Sequence, residues 1–183
     1  VEGACGHVYG KAVPTMRRYL ETIHKDWEGP APAVVIAALG PRMLALAGAN
    51  ARGAIPYNVT PEHTRNARAI MGPDAWLAVE QKVCLSDDPT RARALARQEL
   101  ERYLTMANYR NNWLALGFAE AELAQGGSDR FLDAMVAWGS VSDIKARIEA
   151  HRAAGADHVC IQPIHSAGEP APDWRTLERL AGS

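Results

Sequence analysis

Three places in the sequence combine residue types that could bind or convert a small molecule, and each follows a run typical of a buried strand. The first is Leu39-Gly40-Pro41, where glycine lets the backbone approach an anion and a helix beginning at Pro41 would direct its unpaired N–H groups to the same point. Tyr57 and Asn58 end the second run and offer a phenol and an amide to orient a substrate. His165 follows the last run, where an imidazole could carry a proton.

The segment around residue 155 decides which fold presents these residues. Ser140 with Asp143 forms a capping-box pattern that predicts a helix over 141–154, and Gly155 suits its end. The run 158–162 that follows is short, apolar and β-branched at its centre, which predicts a strand buried on both faces. A strand of this kind, reached from a helix by a tight turn, is typical of parallel α/β sheets.

The same strand-then-helix order recurs along the chain, and four parallel units are predicted. Their strands are 33–39, 53–57, 76–85 and 158–162, followed by helices from Pro41, from Pro61 after the cap Thr60, from Asp87-Asp88 to about Met106, and from about Pro172. A helix over 13–27 precedes the first unit, and a helical insertion spans about 108–137. Because parallel strands end at one edge, the candidate residues should meet there.

Composition limits the classes of function. The 183 residues with 48% hydrophobic content suit one domain, and 20 basic against 21 acidic residues favour neither nucleic acid nor an anionic membrane surface. The longest apolar run is far short of a membrane span and no secretory signal is visible, so we predict a cytoplasmic protein that acts on a small molecule. No metal site is predicted. Cys5, Cys84 and Cys160 are expected to be reduced thiols of the core.

Two longer stretches carry a family resemblance. VVIAALGPRMLALAGANARGAIPYNVTPEHTRNAR, and later GSVSDIKARIEAHRAAGADHVCIQP, resemble the C-terminal half of a luciferase-like monooxygenase, closest to the subgroup that uses coenzyme F420. The resemblance implies a TIM barrel around a deazaflavin or flavin. It implies an oxidoreductase that transfers a hydride between F420, or alternatively FMN, and a small organic substrate.

The resemblance also assigns candidate site residues. The loop that binds the phosphate linker of F420 in the relatives matches Ala38, Leu39, Gly40 and Pro41, and Tyr57, Asn58 and His165 are the candidate substrate contacts. In the family pattern, His7 or Tyr9 would also line the pocket. Catalytic residues are not assigned.

A complete barrel takes about 250 residues, whereas four strands are predicted here. We therefore expect one domain over 1–183 that forms the C-terminal part of a (β/α)8 barrel. Truncation, completion by a partner and a reduced barrel all remain open, with truncation favoured.

Two other functions remain as alternatives. One is a non-catalytic or FMN-binding reduced barrel that works as a homo-oligomer or accessory subunit, because open sheet edges need a cover. The other is an unrelated barrel enzyme such as an aldolase or isomerase. The absence of a lysine at any predicted strand end disfavours Schiff-base chemistry.

Overall fold

A computed structural model describes residues 10–30 and 32–182, and its strands form one parallel sheet. The strands are β1 (Val35–Ile36), β2 (Gly53–Ala54), β3 (Trp76–Leu85), β4 (Val136–Gly139) and β5 (His158–Pro163). β1 pairs with β2 and β2 with β3, while β4 and β5 both pair with β3. The four predicted strands therefore lie in one sheet and point the same way.

Eight α-helices are described within these ranges. They are α1 (Ala12–Asp26), α2 (Pro41–Asn50), α3 (Pro61–Met71), α4 (Pro89–Leu104), α5 (Ala107–Ala115), α6 (Asp129–Met135), α7 (Val141–Ala153) and α8 (Trp174–Ala181), with a 3-10 turn at Glu120–Leu123. None of the helices in the described part of the chain is long and apolar enough to cross a membrane.

The helix starts predicted from capping residues are confirmed. Thr60 accepts a hydrogen bond from the backbone N–H of His63, and Asp88 accepts two from the first turn of α4. Ser140 and Asp143 form the predicted capping box. Caps of this kind are local, so their effect can be inferred from neighbouring residues alone.

The turn between α7 and β5 is held by an arginine from another helix. Gly155 has φ +104°, and a Cβ there would lie 2.8 Å from the Arg68 side chain. Arg68 donates to the Gly155 carbonyl from two nitrogens, at 2.9 and 2.8 Å, and pairs with Asp157 at 2.6 Å. Glycine is therefore required both by the backbone conformation and by the guanidinium packed against it.

Two predictions about this part of the fold are corrected. A fifth strand, β4, occupies Val136–Gly139, so the helical segment predicted to reach residue 137 ends at Met135. Four residues that follow a helix directly are too few to show a period of two.

β5 is also not buried on both faces, because its residues are exposed or half-buried. It pairs with β3 alone, at the edge of the sheet. Cys160 on this strand is consequently exposed and is not a core thiol, whereas Cys84 is buried as predicted. Cys5 lies outside the described residues.

The side chains of β3 alternate between two faces that are both covered by helices. Leu77 and Val79 pack with residues of α2 and α3, and Val83 packs with α7 and α8. Cys84 points the other way, into a core shared with α4, α5 and α6. This second face, which also carries Glu80 and Lys82, is called the inner face below.

A buried polar chain fastens β3 to the helices on its outer side. The imidazole of His151, which is fully buried, contacts the Thr64 hydroxyl at 2.8 Å through Nδ1 and Gln81 Oε1 at 2.9 Å through Nε2. Gln81 in turn donates to the carbonyls of Lys82 and Met135. Burial, aided by the charge of Arg147, lowers the pKa of His151 to about 4.

This lowered pKa predicts acid sensitivity. A histidine whose pKa falls on folding stabilises the native state above its unfolded pKa of about 6.5, and that contribution is lost as pH falls toward 4. Between pH 7 and 4 the free energy of unfolding should therefore fall by roughly 3 kcal/mol more in the wild type than in His151→Gln. Urea unfolding across this pH range measures the difference. His24→Gln, an exposed control, should keep the wild-type profile, and parallel profiles for the wild type and His151→Gln would contradict the assignment.

Candidate functional site

An apolar cavity of about 460 Å³ lies where the chain leaves β1 and β2. Its walls include Leu39, Gly40 and Pro41 from the loop after β1, and Ile55 and Tyr57 from the loop after β2. The first turn of α1 and the start of α5 close its sides. Its volume is within the range of small-molecule sites.

The start of α2 opens onto this cavity. Gly40 precedes the helix with φ −85° and ψ 160°, and no side chain among the described residues caps it. The N–H groups of Met43 and Leu44 bond to the Gly40 carbonyl, whereas that of Arg42, which also lines the cavity, has no acceptor within the helix. A Cβ at Gly40 would meet no atom within 4 Å, so the backbone is accessible at this point.

All four residues predicted to bind the cofactor line this one cavity together with Tyr57. They do so in different ways. Ala38 as a whole is 4% exposed and packs in the core, so it contributes little open surface to the cavity. Leu39 is half-buried, and its carbonyl lies 2.8 Å from His63 Nε2, which ties the loop to α3.

Asn58 does not line the cavity but lies behind Tyr57. It is 2% exposed, with a left-handed φ of 55°. Its N–H donates to Glu80 Oε2 at 3.2 Å, and its carbonyl accepts from the Trp113 indole at 3.1 Å. Both polar atoms of its side chain are buried without a hydrogen-bond partner among the described residues.

His165 lies in a second cavity, of about 450 Å³, beyond β5. Glu99 and Gln162 share this cavity, and His165 Nε2 is 3.7 Å from Glu169. The structure therefore brings Tyr57 together with residues 38–41 and places His165 elsewhere. His7 and Tyr9 lie outside the described residues.

A buried lysine, which the sequence analysis missed, lies between the two cavities. Lys82 is 1% exposed, and its Nζ is 2.7 Å from the Tyr57 hydroxyl and 3.0 Å from Gln162 Oε1. Glu99 and Glu80 lie 3.2 and 3.5 Å away. Glu80 and Lys82 are two apart in a strand, so period-two alternation alone would have placed both on the same face.

The sequence as a whole matches a known family. Residues 9–158 match the family model described as luciferase-like monooxygenase. The chain belongs to the luciferase-like monooxygenase family. No curated protein matches it at comparable significance.

Solved structures of similar fold include two F420-dependent enzymes. An F420-dependent secondary alcohol dehydrogenase, in complex with an F420-acetone adduct, has a TM-score of 0.62 at 12% identity over 96% of this chain and 62% of its own. The coenzyme F420-dependent tetrahydromethanopterin reductase from Methanopyrus kandleri has a TM-score of 0.55 at 17% identity over 97% and 63%. Apo-MsnO8 has a TM-score of 0.55 at 14% identity over 95% and 60%. At identities this low, the structural likeness shows the fold alone, and the chain spans under two thirds of the length of each neighbour.

In this luciferase-like chain, burial controls the charges at the inner face. It raises the pKa of Glu80, and the nearby Lys82 partly offsets that rise. Burial also raises the pKa of the Tyr57 phenol, and that of Tyr103 to about 12. Both phenols therefore keep their protons near neutral pH and remain available as hydrogen-bond donors.

The structure also addresses two other kinds of site considered from the sequence, a metal site and a lysine that could form a Schiff base. Among the described residues, no group of three His, Cys, Asp or Glu side chains is arranged to hold a metal ion. The lysine in β3 of this luciferase-like chain lies within the strand, surrounded by four oxygen atoms. It is thus placed as a buried hydrogen-bond donor and not as an accessible nucleophile.

Proposed function

We propose that this chain is the cofactor-binding part of an oxidoreductase that transfers a hydride between coenzyme F420 and a small organic substrate, with FMN as the alternative cofactor. Membership of the luciferase-like monooxygenase family supports redox chemistry in general. The choice of F420 is supported by the sequence resemblance of residues 34–68.

One observation carries the proposal: an uncapped helix start opens directly onto an apolar cavity. The helix offers an N–H group and the positive end of its dipole, and the exposed Arg42 adds a cation. Leu39, Ile55 and Tyr57 supply an apolar wall beside it. A phosphate-bearing linker attached to a flat aromatic ring system requires this pairing of surfaces.

The residues divide into two proposed roles. The backbone of Ala38, Leu39, Gly40 and Pro41 would hold the phosphate linker, while Tyr57 would contact the ring or the substrate. When bound, F420 supplies the hydride chemistry, and the protein supplies position and the surrounding charge.

Asn58 and His165 receive narrower proposals. Asn58, buried behind Tyr57, would set the position of that phenol through its backbone and would not contact the substrate. His165 would meet only a ligand that enters the second cavity.

The activity of the whole protein is likewise a proposal, because the chain covers 60–63% of the lengths of its structural neighbours. We take the chain to be the C-terminal part of a (β/α)8 barrel. Its association into homo-oligomers remains a prediction, which analytical ultracentrifugation can test.

Ligand titration tests the cofactor proposal. Purified protein titrated with oxidised F420, and separately with FMN, should change the fluorescence of the cofactor, with F420 binding more tightly. Arg42→Gln should weaken F420 binding about tenfold or more, since a hydrogen bond to a charged group contributes about 1.5–3 kcal/mol. Added salt should reduce the difference between wild type and variant.

A matched variant controls for loss of surface charge. Arg65 is an exposed arginine on the neighbouring helix α3, and it does not line the cavity. Arg65→Gln should bind F420 as the wild type does. The proposal fails if neither cofactor binds at high micromolar concentration, or if the two arginine variants weaken binding equally.

A further inference from the structure

The two cavities are connected through buried side chains of the inner face. Tyr57 lines the first cavity, and Glu99 and Gln162 line the second. Lys82 lies between them, with its Nζ 2.7 Å from the Tyr57 hydroxyl and 3.2 Å from Glu99 Oε1. A continuous line of exchangeable protons therefore joins the two spaces.

The exposed fractions of Lys82, Glu80 and Glu99 show where this line of exchangeable protons meets solvent. The Lys82 side chain is 1% exposed and that of Glu80 7%, whereas that of Glu99 is 34% exposed. Glu99 is thus the member of this line that meets solvent in the second cavity. Glu80 is a buried counter-charge, which also accepts a hydrogen bond from the Asn58 N–H.

Gln162 sets the direction of the hydrogen bond between Lys82 and Tyr57. Its Oε1 accepts from the Tyr57 hydroxyl at 2.6 Å and from Lys82 Nζ at 3.0 Å. An amide oxygen that accepts from both groups directs the lone pairs of the phenol toward the lysine. The shortest heavy-atom path from Tyr57 to Glu99 then runs through Lys82.

We propose that Tyr57, Lys82 and Glu99 form a proton relay that links the first cavity to solvent in the second. The identity of the ligand in the first cavity rests on the proposed function, and the relay itself does not. When the Tyr57 hydroxyl turns from Gln162 to a ligand oxygen and gives up its proton there, Lys82 gives a proton to the phenolate oxygen. The Glu99 carboxylate takes up a proton from solvent water and passes it to the neutral Lys82 amine, which restores the ion pair between the two side chains.

This sequence of steps balances and needs no redox partner of its own. Each step breaks one O–H or N–H bond and forms another, and the chain returns to its starting protonation state. If the ligand is a carbonyl compound reduced by F420, the relay supplies the proton that the oxygen needs as the carbon accepts the hydride. In the reverse direction, the relay carries that proton away.

Other titratable or charged groups also face these residues. They come from four elements or loops around the inner face: Glu80 (β3), Arg102 and Tyr103 (α4), Tyr109 (α5), and Cys160 (β5). The Tyr103 hydroxyl donates to that of Tyr57 at 3.4 Å, and Tyr103 does not lie between Tyr57 and Glu99 in the proposed relay.

Hydrogen exchange at Lys82 tests the relay without cofactor or substrate. The chain has only four lysines, so the Nζ signal of Lys82 can be assigned by NMR in protein labelled with 15N-lysine. A carboxylate that can take up a proton should catalyse exchange of this buried group with water. Glu99→Gln keeps an acceptor of the same shape but removes that capacity, and it should slow exchange about tenfold or more.

Two further variants make the result decisive. Glu101→Gln, an exposed change on the same helix, should leave the rate unchanged. Glu99→Asp, which moves the carboxylate back by one methylene, gives an intermediate rate and replaces Glu99→Gln if that variant does not fold.

Two results would overturn the relay: unchanged exchange in Glu99→Gln, or equal slowing in Glu101→Gln. Failure of the proposed function gives a different pattern. If neither F420 nor FMN binds, the exchange rates still decide whether protons pass through Glu99.

Discussion

Replacing Lys82 by methionine should lower the free energy of unfolding by about 3–5 kcal/mol, because the change leaves a buried carboxylate without its cation. Glu80 is 6% exposed, and the Asn58 N–H at 3.2 Å would be its remaining hydrogen-bond donor among the described residues. The variant also removes a donor from the Tyr57 hydroxyl and from Gln162 Oε1. Chemical denaturation at pH 7 measures the loss.

The pH dependence of that loss identifies its cause. Burial already raises the pKa of Glu80, and without Lys82 the pKa should rise further. A carboxyl group with a raised folded pKa favours the native state below its unfolded pKa, about 4.3, and this advantage disappears as pH rises through the folded pKa. The deficit of Lys82→Met should therefore grow between pH 5 and pH 8.

The double variant Glu80→Gln/Lys82→Met is the matched control. With both charges removed, most of the lost stability should return, because no buried carboxylate then lacks a partner. A double variant as unstable as Lys82→Met, or a deficit that does not change with pH, would show that Glu80 is not the source of the loss.

Replacing Trp113 by alanine should cost a similar amount, about 3–5 kcal/mol. Trp113 is fully buried in the core formed by α4, α5 and α6. Its ring packs edge-on against Phe131 at 4.7 Å and lies 5.8 Å from Tyr109, and its indole N–H donates to the Asn58 carbonyl. Thermal or urea unfolding measures the change.

A second tryptophan variant separates packing from hydrogen bonding. Trp113→Phe keeps an aromatic ring but leaves the buried Asn58 carbonyl unpaired, so about 1–3 kcal/mol should be lost. Amide hydrogen exchange should also accelerate around Asn58, since the indole holds this left-handed residue in place. Equal stability of Trp113→Phe and the wild type would mean that the indole hydrogen bond contributes nothing.

Local signals in the sequence were sufficient for most of the fold. Thr60, Asp88 and Ser140 each precede a helix and accept from its first N–H groups, and Gly155 has the positive φ that its position suggested. Such features depend on residues a few positions apart, so they are visible without any knowledge of tertiary contacts. Parallel strands were predictable because a predicted helix separates each predicted strand from the next.

The errors came from features set by distant parts of the chain. The sequence of β5 is apolar enough for an interior strand, but its single neighbour leaves Cys160 exposed. β4 forms because residues 82–85 of β3 provide a partner, and its four residues carry no periodic signal of their own.

The same division applies to the candidate site. Local sequence alone determined that Gly40 and Pro41 begin a helix after a strand, and that Tyr57 ends the next strand. Tertiary structure decided that these residues share a cavity and that His165 lies in another one. It also decided that Lys82, three of whose four partners are 17 to 80 positions away, is buried between the two cavities. The physical reason is that hydrogen bonds and desolvation depend on distance in space, and that distance is fixed only once the sheet has brought its strands together.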